Sequence, residues 1–300
     1  MLLMERMGET AMPTPQARFR ALIAGEQALL APLVLNPLMA RLAENAGHRA
    51  LYLGGGAMGY LTCFTEANLS LTEMAQQAVD IRAACDLPLI LDGAAGWGDP
   101  MHMLRTIGMA EAAGLCAIEI EDQILPKRAH HHVGLEHIVE LDLMVAKVAE
   151  AVRVRRDPDF AIIARTNAVR THNLDEALRR GEAMKRAGAD MLFMLARKPE
   201  DIRRIAERLD PPFMYMLSGG GFAQLQIPVP DLMRMGYRLF VDPVTPLLAM
   251  HRVLRQSYAA LAAMTPDPLI GAGAHDEQQA MHESIGLETL LAIERRTVER

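Results

Sequence analysis

Eight short aliphatic segments recur along this chain, and each is followed by a turn and a longer stretch with helical periodicity. The segments are continuously apolar rather than alternating, which is typical of parallel strands covered on both faces. This rhythm predicts a (β/α)8 TIM barrel, formed by a single domain over residues 1–300. The predicted strands are Ala31–Leu35, Ala50–Leu53, Pro88–Leu91, Cys116–Glu121, Ala161–Arg165, Met191–Met194, Phe213–Leu217 and Arg238–Val241.

Composition favours a small-molecule ligand. The net charge is -6 and the pI is about 5.9, so the chain lacks the basic field that attracts nucleic acid or an anionic membrane. Its apolar runs are far shorter than the ~20 residues that cross a bilayer, and no compact signal-peptide core is present. We therefore expect neither nucleic acid nor membrane as a partner, and a cytoplasmic location. Three cysteines without C-x-x-C spacing disfavour a disulfide framework or a structural zinc site.

Local signals mark several helices. Ser70-Leu-Thr-Glu73 is a capping box that begins one helix. Asn173–Ala187 and Pro199–Leu209 have the start and stop residues of two more. Residues 277–300 are predicted to form a helical extension outside the barrel, which could cap the barrel, pack on a neighbouring subunit or fray.

In a (β/α)8 barrel the loops that follow the strands build the active site. Asp92 and Glu121 end two adjacent predicted strands, and two carboxylates at the barrel mouth can bind one hard cation such as Mg2+. Arg165, at the next strand end, can bind a carboxylate or phosphate bidentately. Either acid could instead pair with an arginine, and Arg165 with Glu121. Further polar residues at strand ends are Asn36, Tyr52, Glu119, Asp122, Asn167, Ser218 and Asp242.

The segment Gly54-Gly-Gly-Ala-Met-Gly59 matches the spacing of a dinucleotide-binding loop after a strand. The next capping signal comes only at Ser70, so we expect no helix to open directly here, and the dinucleotide interpretation is disfavoured. The backbone amides of Gly54, Gly55 and Gly56 could still bind a carboxylate or an enolate oxygen.

The segment Pro126-Lys-Arg-Ala-His-His-His132 is a cationic loop after the strand that carries Glu121. Such a loop suits a mobile lid that closes over an anion. Consecutive histidine side chains point apart, which disfavours a metal ion shared among them. A general acid/base role for one of them is the sharper hypothesis, and a plain exposed loop is the alternative. Lys127 and His130 are the candidates.

Six segments carry a family resemblance: Asn36–Gly47, Tyr52–Gly56, Asp92–Gly98, Ile120–Gln123, Pro126–Arg128 and Ala164–Ala168. Together they resemble the isocitrate lyase and phosphoenolpyruvate mutase superfamily, which includes methylisocitrate lyase, 2,3-dimethylmalate lyase, phosphonopyruvate hydrolase and oxaloacetate decarboxylase. The resemblance spans most of the chain. It implies a Mg2+-dependent reaction on a 2-oxo or 2-hydroxy dicarboxylate through an enolate of pyruvate or a similar acid, and a homotetramer whose subunits exchange C-terminal helices.

By position, the resemblance implies that Asp92 binds the metal, that Glu121 approaches it through water, and that Arg165 binds the substrate carboxylate. The backbone after the second strand would line the substrate oxygens. The candidates are therefore Tyr52, Lys127, His130 and Arg165 for catalysis, Gly54, Gly55, Gly56 and Asn167 for substrate binding, and Asp92 and Glu121 for Mg2+.

Several family motifs are altered. The pattern D-x-D-T-G-Y-G has Ala94 at its second acid, and the lid motif K-[KR]-C-G-H has Ala129 in place of the cysteine. The P-D-x-G segment reads Thr65-Glu-Ala-Asn68, and Leu195 stands where a glutamate follows the sixth strand. Cleavage of isocitrate or methylisocitrate is thereby disfavoured.

We therefore predict a Mg2+-dependent carbon–carbon lyase of the decarboxylase or retro-aldol kind, acting on a di- or tricarboxylate and similar to oxaloacetate decarboxylase. Decarboxylation requires an electron sink but no cysteine acid. One alternative is phosphonopyruvate hydrolase or mutase chemistry, which is weakened by the loss of the usual carboxylate at Ala94 and of the aspartate near Thr65. The other is a metal-free barrel that binds a carboxylate without turnover.

Overall fold

The computed structural model describes residues 13–299. Eight parallel strands form one sheet in the order β1-β8-β7-β6-β5-β4-β3-β2, and a bridge between Leu33 and Tyr52 joins the two edge strands. The prediction of a (β/α)8 barrel is confirmed, and each predicted segment overlaps one strand. The strands are β1 (Leu29–Pro32), β2 (Leu51–Leu53), β3 (Leu89–Asp92), β4 (Ala117–Glu121), β5 (Ala161–Thr166), β6 (Met191–Met194), β7 (Phe213–Met216) and β8 (Tyr237–Asp242).

Helices alternate with the strands and cover the outer face of the sheet. Some connections hold two helices or a short 3-10 turn. The α-helices are α1 (Pro15–Ala24), α2 (Pro37–Asn45), α3 (Gly55–Leu61), α4 (Leu71–Ala84), α5 (Met103–Ala112), α6 (Leu141–Val154), α7 (Ala168–Thr171), α8 (Leu174–Arg186), α9 (Pro199–Arg208), α10 (Val229–Arg234), α11 (Thr245–Ala262), α12 (Ala274–Ser284) and α13 (Leu287–Thr297).

The predicted capping signals are present. The Ser70 hydroxyl accepts from the Glu73 amide at 3.3 Å, and the Glu73 carboxylate accepts from the Ser70 amide at 2.7 Å, so α4 begins where the capping box predicts. Asn173 caps α8 through the Glu176 amide at 2.9 Å. The helical extension begins earlier than predicted, and Gly286, with φ of 69°, divides it into α12 and α13.

Helix α3 corrects the expectation that no helix opens directly after β2. Gly54 is its N-cap and Gly55 its first residue, with no capping side chain of its own. The carboxylate of Asp92 on β3 instead accepts a hydrogen bond from the Gly55 amide at 3.1 Å. A capping group supplied by another strand leaves no local signal in the sequence. The dinucleotide interpretation remains disfavoured, because this helix start already faces a carboxylate.

The apolar core has two layers. One cluster, including Tyr52, Ile90 and Phe193, fills the inside of the barrel, and a larger one lies between the strands and the helices. Phe19 of α1 belongs to the inner cluster and is fully buried, so α1 closes the amino end. The carboxyl ends of the strands are therefore where a ligand site can form. No helix among residues 13–299 is long and apolar enough to span a bilayer.

Candidate active site

A network of buried charged side chains lies at the carboxyl ends of β2 to β5. Asp92 is paired in register with Glu119 across β3 and β4, and Glu121 with Arg165 across β4 and β5. Side chains of alternate residues on a strand share a face, so Glu119 and Glu121 both project into the site. The structure thus brings together Asp92, Glu121 and Arg165, which the sequence predicted as its centre.

Arg165 is held on several sides. Its guanidinium donates to Glu119 at 2.7 Å and contacts Glu121 at 3.2 Å. It also donates to the Asn167 side-chain oxygen at 3.2 and 3.3 Å, and its Cζ lies 5.0 Å from the centre of the Phe193 ring. Burial opposes the charge, but the two glutamates hold the pKa of Arg165 well above its ordinary value. Arg165 therefore forms the ion pair with Glu121 that the sequence left open as an alternative.

Both carboxylate oxygens of Glu121 are engaged. Oε1 accepts from the Lys127 ammonium at 2.5 Å, and Oε2 accepts from Asn167 at 2.9 Å and Gln123 at 3.3 Å. Burial raises the pKa of Glu121, but the charges of Lys127 and Arg165 outweigh it and lower the pKa. Glu121 is thus a fixed carboxylate that could reach a metal ion through water, as the resemblance implies.

Asp92 differs from Glu121 because backbone amides are its hydrogen-bond donors. It accepts from Gly55 at 3.1 Å and from Ala94 at 3.0 Å, and within residues 13–299 no lysine or arginine forms an ion pair with it. Burial, together with the charges of Glu119 and Glu66, raises the pKa of Asp92 to about 7. A buried carboxylate whose ionised form is disfavoured by its neighbours is stabilised by an added cation.

Glu66 is a site residue that the sequence analysis missed. Its Oε1 forms ion pairs with Lys127 and, at 3.0 Å, with His131. Its Oε2 and an oxygen of Asp92 approach the same point beside Gly55, within 3.3 and 3.4 Å of where a Cβ would lie. Burial opposes ionisation, but His131 and Lys127 lower the pKa of Glu66 to about 2.

The segment of residues 124–137, here called the lid, folds over this network. It leaves β4 and returns beside it, since the Ile124 amide donates to the His137 carbonyl at 3.0 Å. His132 hydrogen-bonds Tyr60 at 3.1 Å and Thr65 at 2.8 Å. The predicted candidate His130 is exposed, so His131 and His132 are the histidines that attach the lid to the barrel.

The remaining predicted residues support the network from inside. Tyr52 is fully buried, and its hydroxyl donates to Glu119 at 2.9 Å. Burial raises the pKa of Tyr52 well above its ordinary value, so the phenol stays protonated. Asn167 is also fully buried and joins Arg165 to Glu121. Of the glycines, Gly55 directs its amide to Asp92.

Three other strand-end candidates lie outside this network. Asn36 caps α2 by accepting a hydrogen bond from the Met39 amide at 2.9 Å. Asp242 accepts from the backbone amides of Val244 and Thr245 at 3.2 and 2.9 Å and so caps the start of α11. Ser218 lines a separate cavity of about 560 Å³ after β6 and β7, together with Arg197 and Gln224. That cavity contains none of the predicted catalytic, substrate-binding or metal residues.

The donor set of the network fits a hard divalent cation. Four carboxylates, of Asp92, Glu66, Glu119 and Glu121, face two permanent cations, Lys127 and Arg165. Across residues 13–299, no three His, Cys, Asp or Glu side chains converge closely enough to hold an ion alone. Mg2+ commonly retains several waters and uses one or two carboxylates. Asp92, with Glu66 or Glu121 through water, could hold it.

Comparison with known proteins decides the family. The family model of phosphoenolpyruvate phosphomutase matches residues 19–262. The chain belongs to this phosphoenolpyruvate mutase family. A probable 2-methylisocitrate lyase of Corynebacterium glutamicum is 35% identical over 245 residues, covering 80% of this chain and 79% of that protein. An oxaloacetate decarboxylase of Paraburkholderia xenovorans is 31% identical over 204 residues, covering 67% and 68%.

Solved structures agree with this family assignment. The crystal structure of 2,3-dimethylmalate lyase, a member of the phosphoenolpyruvate mutase and isocitrate lyase superfamily, has a TM-score of 0.83 at 26% identity, covering 96% of each chain. Phosphonopyruvate hydrolase, solved with oxalate and Mg2+, shares the fold with a TM-score of 0.81 at 24% identity, covering 95% of this chain and 100% of that one. The predicted superfamily is confirmed, as is the prediction of a carbon–carbon lyase.

Proposed function

We propose that this phosphoenolpyruvate mutase family member is a Mg2+-dependent lyase of the decarboxylase or retro-aldol kind. Its substrate would be a 2-oxo or 2-hydroxy di- or tricarboxylate that reacts through an enolate, with oxaloacetate as the first candidate. The observation that carries the proposal is Asp92, a buried carboxylate that forms no ion pair with a lysine or arginine of residues 13–299 and lies near the fixed Arg165. The relatives' names, which include an oxaloacetate decarboxylase, support it.

Arg165 is suited to bind one carboxylate of the substrate. A guanidinium has five N–H groups, and Glu119, Glu121 and Asn167 engage one on each of its three nitrogens. One N–H on each terminal nitrogen is left to donate to a ligand carboxylate. Because Arg165 is already fixed, little side-chain entropy is lost when the substrate binds.

Asp92 and Lys127 would act on the 2-oxo group of the substrate. Mg2+ held at Asp92 would polarise the 2-oxo group and so favour withdrawal of electrons from the bond that breaks. The Lys127 ammonium donates to Glu66 and Glu121, and its third N–H is available to a developing enolate oxygen. Preorganised donors of this kind stabilise charge that develops in the transition state.

The lid favours decarboxylation among the family's reactions. Ala129 lies on the exposed side of the lid and carries no proton donor. Loss of carbon dioxide from a 2-oxo dicarboxylate leaves an enolate that water can protonate, so no acid at this position is required. A retro-aldol cleavage of a tricarboxylate makes a larger demand on such an acid.

Pyruvate release from oxaloacetate, measured with lactate dehydrogenase and NADH, tests the proposal. Oxaloacetate, 2-methylisocitrate, 2,3-dimethylmalate and phosphonopyruvate form the panel, and spontaneous decarboxylation is subtracted. We expect Mg2+-dependent turnover that Asp92→Asn lowers at least ~100-fold, while the exposed Asp80→Asn changes it less than twofold. Turnover that survives both chelation and Asp92→Asn would contradict the proposal, and release from phosphonopyruvate alone would support the phosphonate alternative.

We also propose that the chain forms a homo-oligomer, as a tetramer, through its C-terminal helices, and that it is cytoplasmic. None of the residues of α12 and α13 is buried. Met281, Leu290 and Ile293 are exposed apolar side chains on these helices, and the exposed Ile285 lies between them. Exposed apolar surface of this kind marks interaction sites. Light scattering after size exclusion should give four times the chain mass, and a monomer would contradict the tetramer.

A further inference from the structure

One buried carboxylate oxygen near the site has no hydrogen-bond partner in the described part of the chain. Oε2 of Glu136 is buried and forms no hydrogen bond within the described residues, and the side chain is 3% exposed. The other two buried atoms of this kind belong to Arg18 and Glu111. Both of those residues contact segments that precede strands, at the amino end of the barrel. Glu136 is the one at the carboxyl end.

Glu136 is connected to the segment that holds Arg165, the residue proposed to bind the substrate carboxylate. It belongs to the lid, and its other oxygen pairs with Arg170 of α7. The Arg170 amide donates to the Asn167 carbonyl at 3.0 Å, so this pair stands one helical turn beyond the residue that fixes Arg165. Burial raises the pKa of Glu136, and the charges of Arg170, Arg165, Glu121 and Lys127 also act on it.

The unpaired oxygen has a defined chemical requirement. An ionised carboxylate only accepts hydrogen bonds, and leaving one buried acceptor unsatisfied costs free energy. The charge of Glu136 is already balanced by Arg170, and Arg165 is within electrostatic range. A neutral hydroxyl therefore fits better than an ammonium group. Under a closed lid, the ligand itself can supply that hydroxyl.

We propose that Glu136 is a specificity residue that accepts a hydrogen bond from a hydroxyl group on the distal part of the ligand. This rests on the proposed function, because it takes the 2-oxo or 2-hydroxy acid end to lie at Arg165 and Asp92. Within the proposed substrate class it favours acids that carry a hydroxyl at least one carbon beyond that end, so a hydroxylated 2-oxo or 2-hydroxy dicarboxylate should bind more tightly than its unsubstituted parent, such as oxaloacetate. Among the described residues, Glu136 forms no hydrogen bond or ion pair with Asp92, Glu66 or Glu121, the candidate metal residues.

The test is a comparison of matched ligands by titration calorimetry in Mg2+ with the full chain. Oxalate reports on the acid end alone, and malate and tartrate differ by one distal hydroxyl. We expect the better-binding tartrate isomer to bind wild type about tenfold more tightly than malate, as for a hydrogen bond to a charged acceptor. Glu136→Ala should abolish this preference and leave oxalate affinity unchanged.

Two further variants serve as controls. Glu136→Gln keeps the volume and should reduce the tartrate preference at least threefold, which suffices if Glu136→Ala does not fold. Glu140→Gln removes an exposed charge just after the lid and should change nothing. If oxalate binds but wild type shows no preference for tartrate, the inference is overturned. It is overturned likewise if the preference is equal in wild type and the Glu136 variants, and the oxygen is then assigned to an ordered water. If wild type does not bind oxalate, the proposed function fails and this inference with it.

Discussion

The attachment of the lid to Glu66 can be measured directly. Both Lys127 and His131 bind the same oxygen of Glu66, and all three side chains are at most 12% exposed. Glu66→Gln preserves the volume and removes the charge, while Lys127 retains its ion pair with Glu121. A hydrogen bond to a charged group contributes about 1.5–3 kcal/mol. Because about 1.4 kcal/mol is a factor of ten, the open fraction of the lid should rise about 10- to 100-fold.

Trypsin reports that fraction, because Arg128 lies in the lid and is exposed enough to be cleaved once the segment opens. When closing is faster than cleavage, the cleavage rate follows the open population. We expect the initial rate after Arg128, followed by mass spectrometry, to rise at least tenfold in Glu66→Gln and not in Glu140→Gln. A rate within twofold of wild type would refute the reasoning, and faster cleavage throughout the chain would indicate general loosening instead.

Three further outcomes follow from the same contacts. Arg165→Met should lower the free energy of unfolding by about 3–5 kcal/mol because it leaves the buried Glu119 carboxylate without its cation. Adding Glu119→Gln should recover part of the melting temperature, and no recovery would contradict the account. Gly59→Ala should lower the free energy of unfolding by about 1–3 kcal/mol, because its Cβ would lie 2.4 Å from a backbone nitrogen. Gly108→Ala has open space around it and should not destabilise the protein. Equal melting curves for the two variants would contradict this prediction. Mg2+ should raise the melting temperature of wild type but not of Asp92→Asn.

The barrel could be predicted because each strand and helix leaves a local signal in the sequence, and the order of these signals along the chain indicates the fold. Each strand is a short apolar run, and the order of the elements places the strand ends together. The sequence alone therefore predicts that Asp92, Glu121 and Arg165 share one site, and the strand pairing places them side by side. The same pattern predicts that Glu119 lies at this site. It lies two residues before Glu121 on β4 and therefore faces the same side.

Other parts of the site depend on contacts that no local pattern records. The start of α3 is capped by Asp92 from another strand. Glu66 joins the site because the lid folds back onto it. Its segment departs from the family motif by lacking the aspartate, but Glu66 carries the same acid group. The phase of the short turn at residues 129–133 decides that His131, rather than His130, meets Glu66.

The charge balance of the site connects metal, lid and substrate. Four buried acids, of Asp92, Glu66, Glu119 and Glu121, already exceed the permanent cations around them. A dicarboxylate would add two more negative charges, so its entry is unfavourable unless positive charge enters with it. The lid brings one such charge in Lys127, but Glu66 and Glu121 already use it. A divalent cation at Asp92 would therefore lower the free energy of substrate binding as well as that of the reaction, and by linkage the substrate would tighten the binding of the cation.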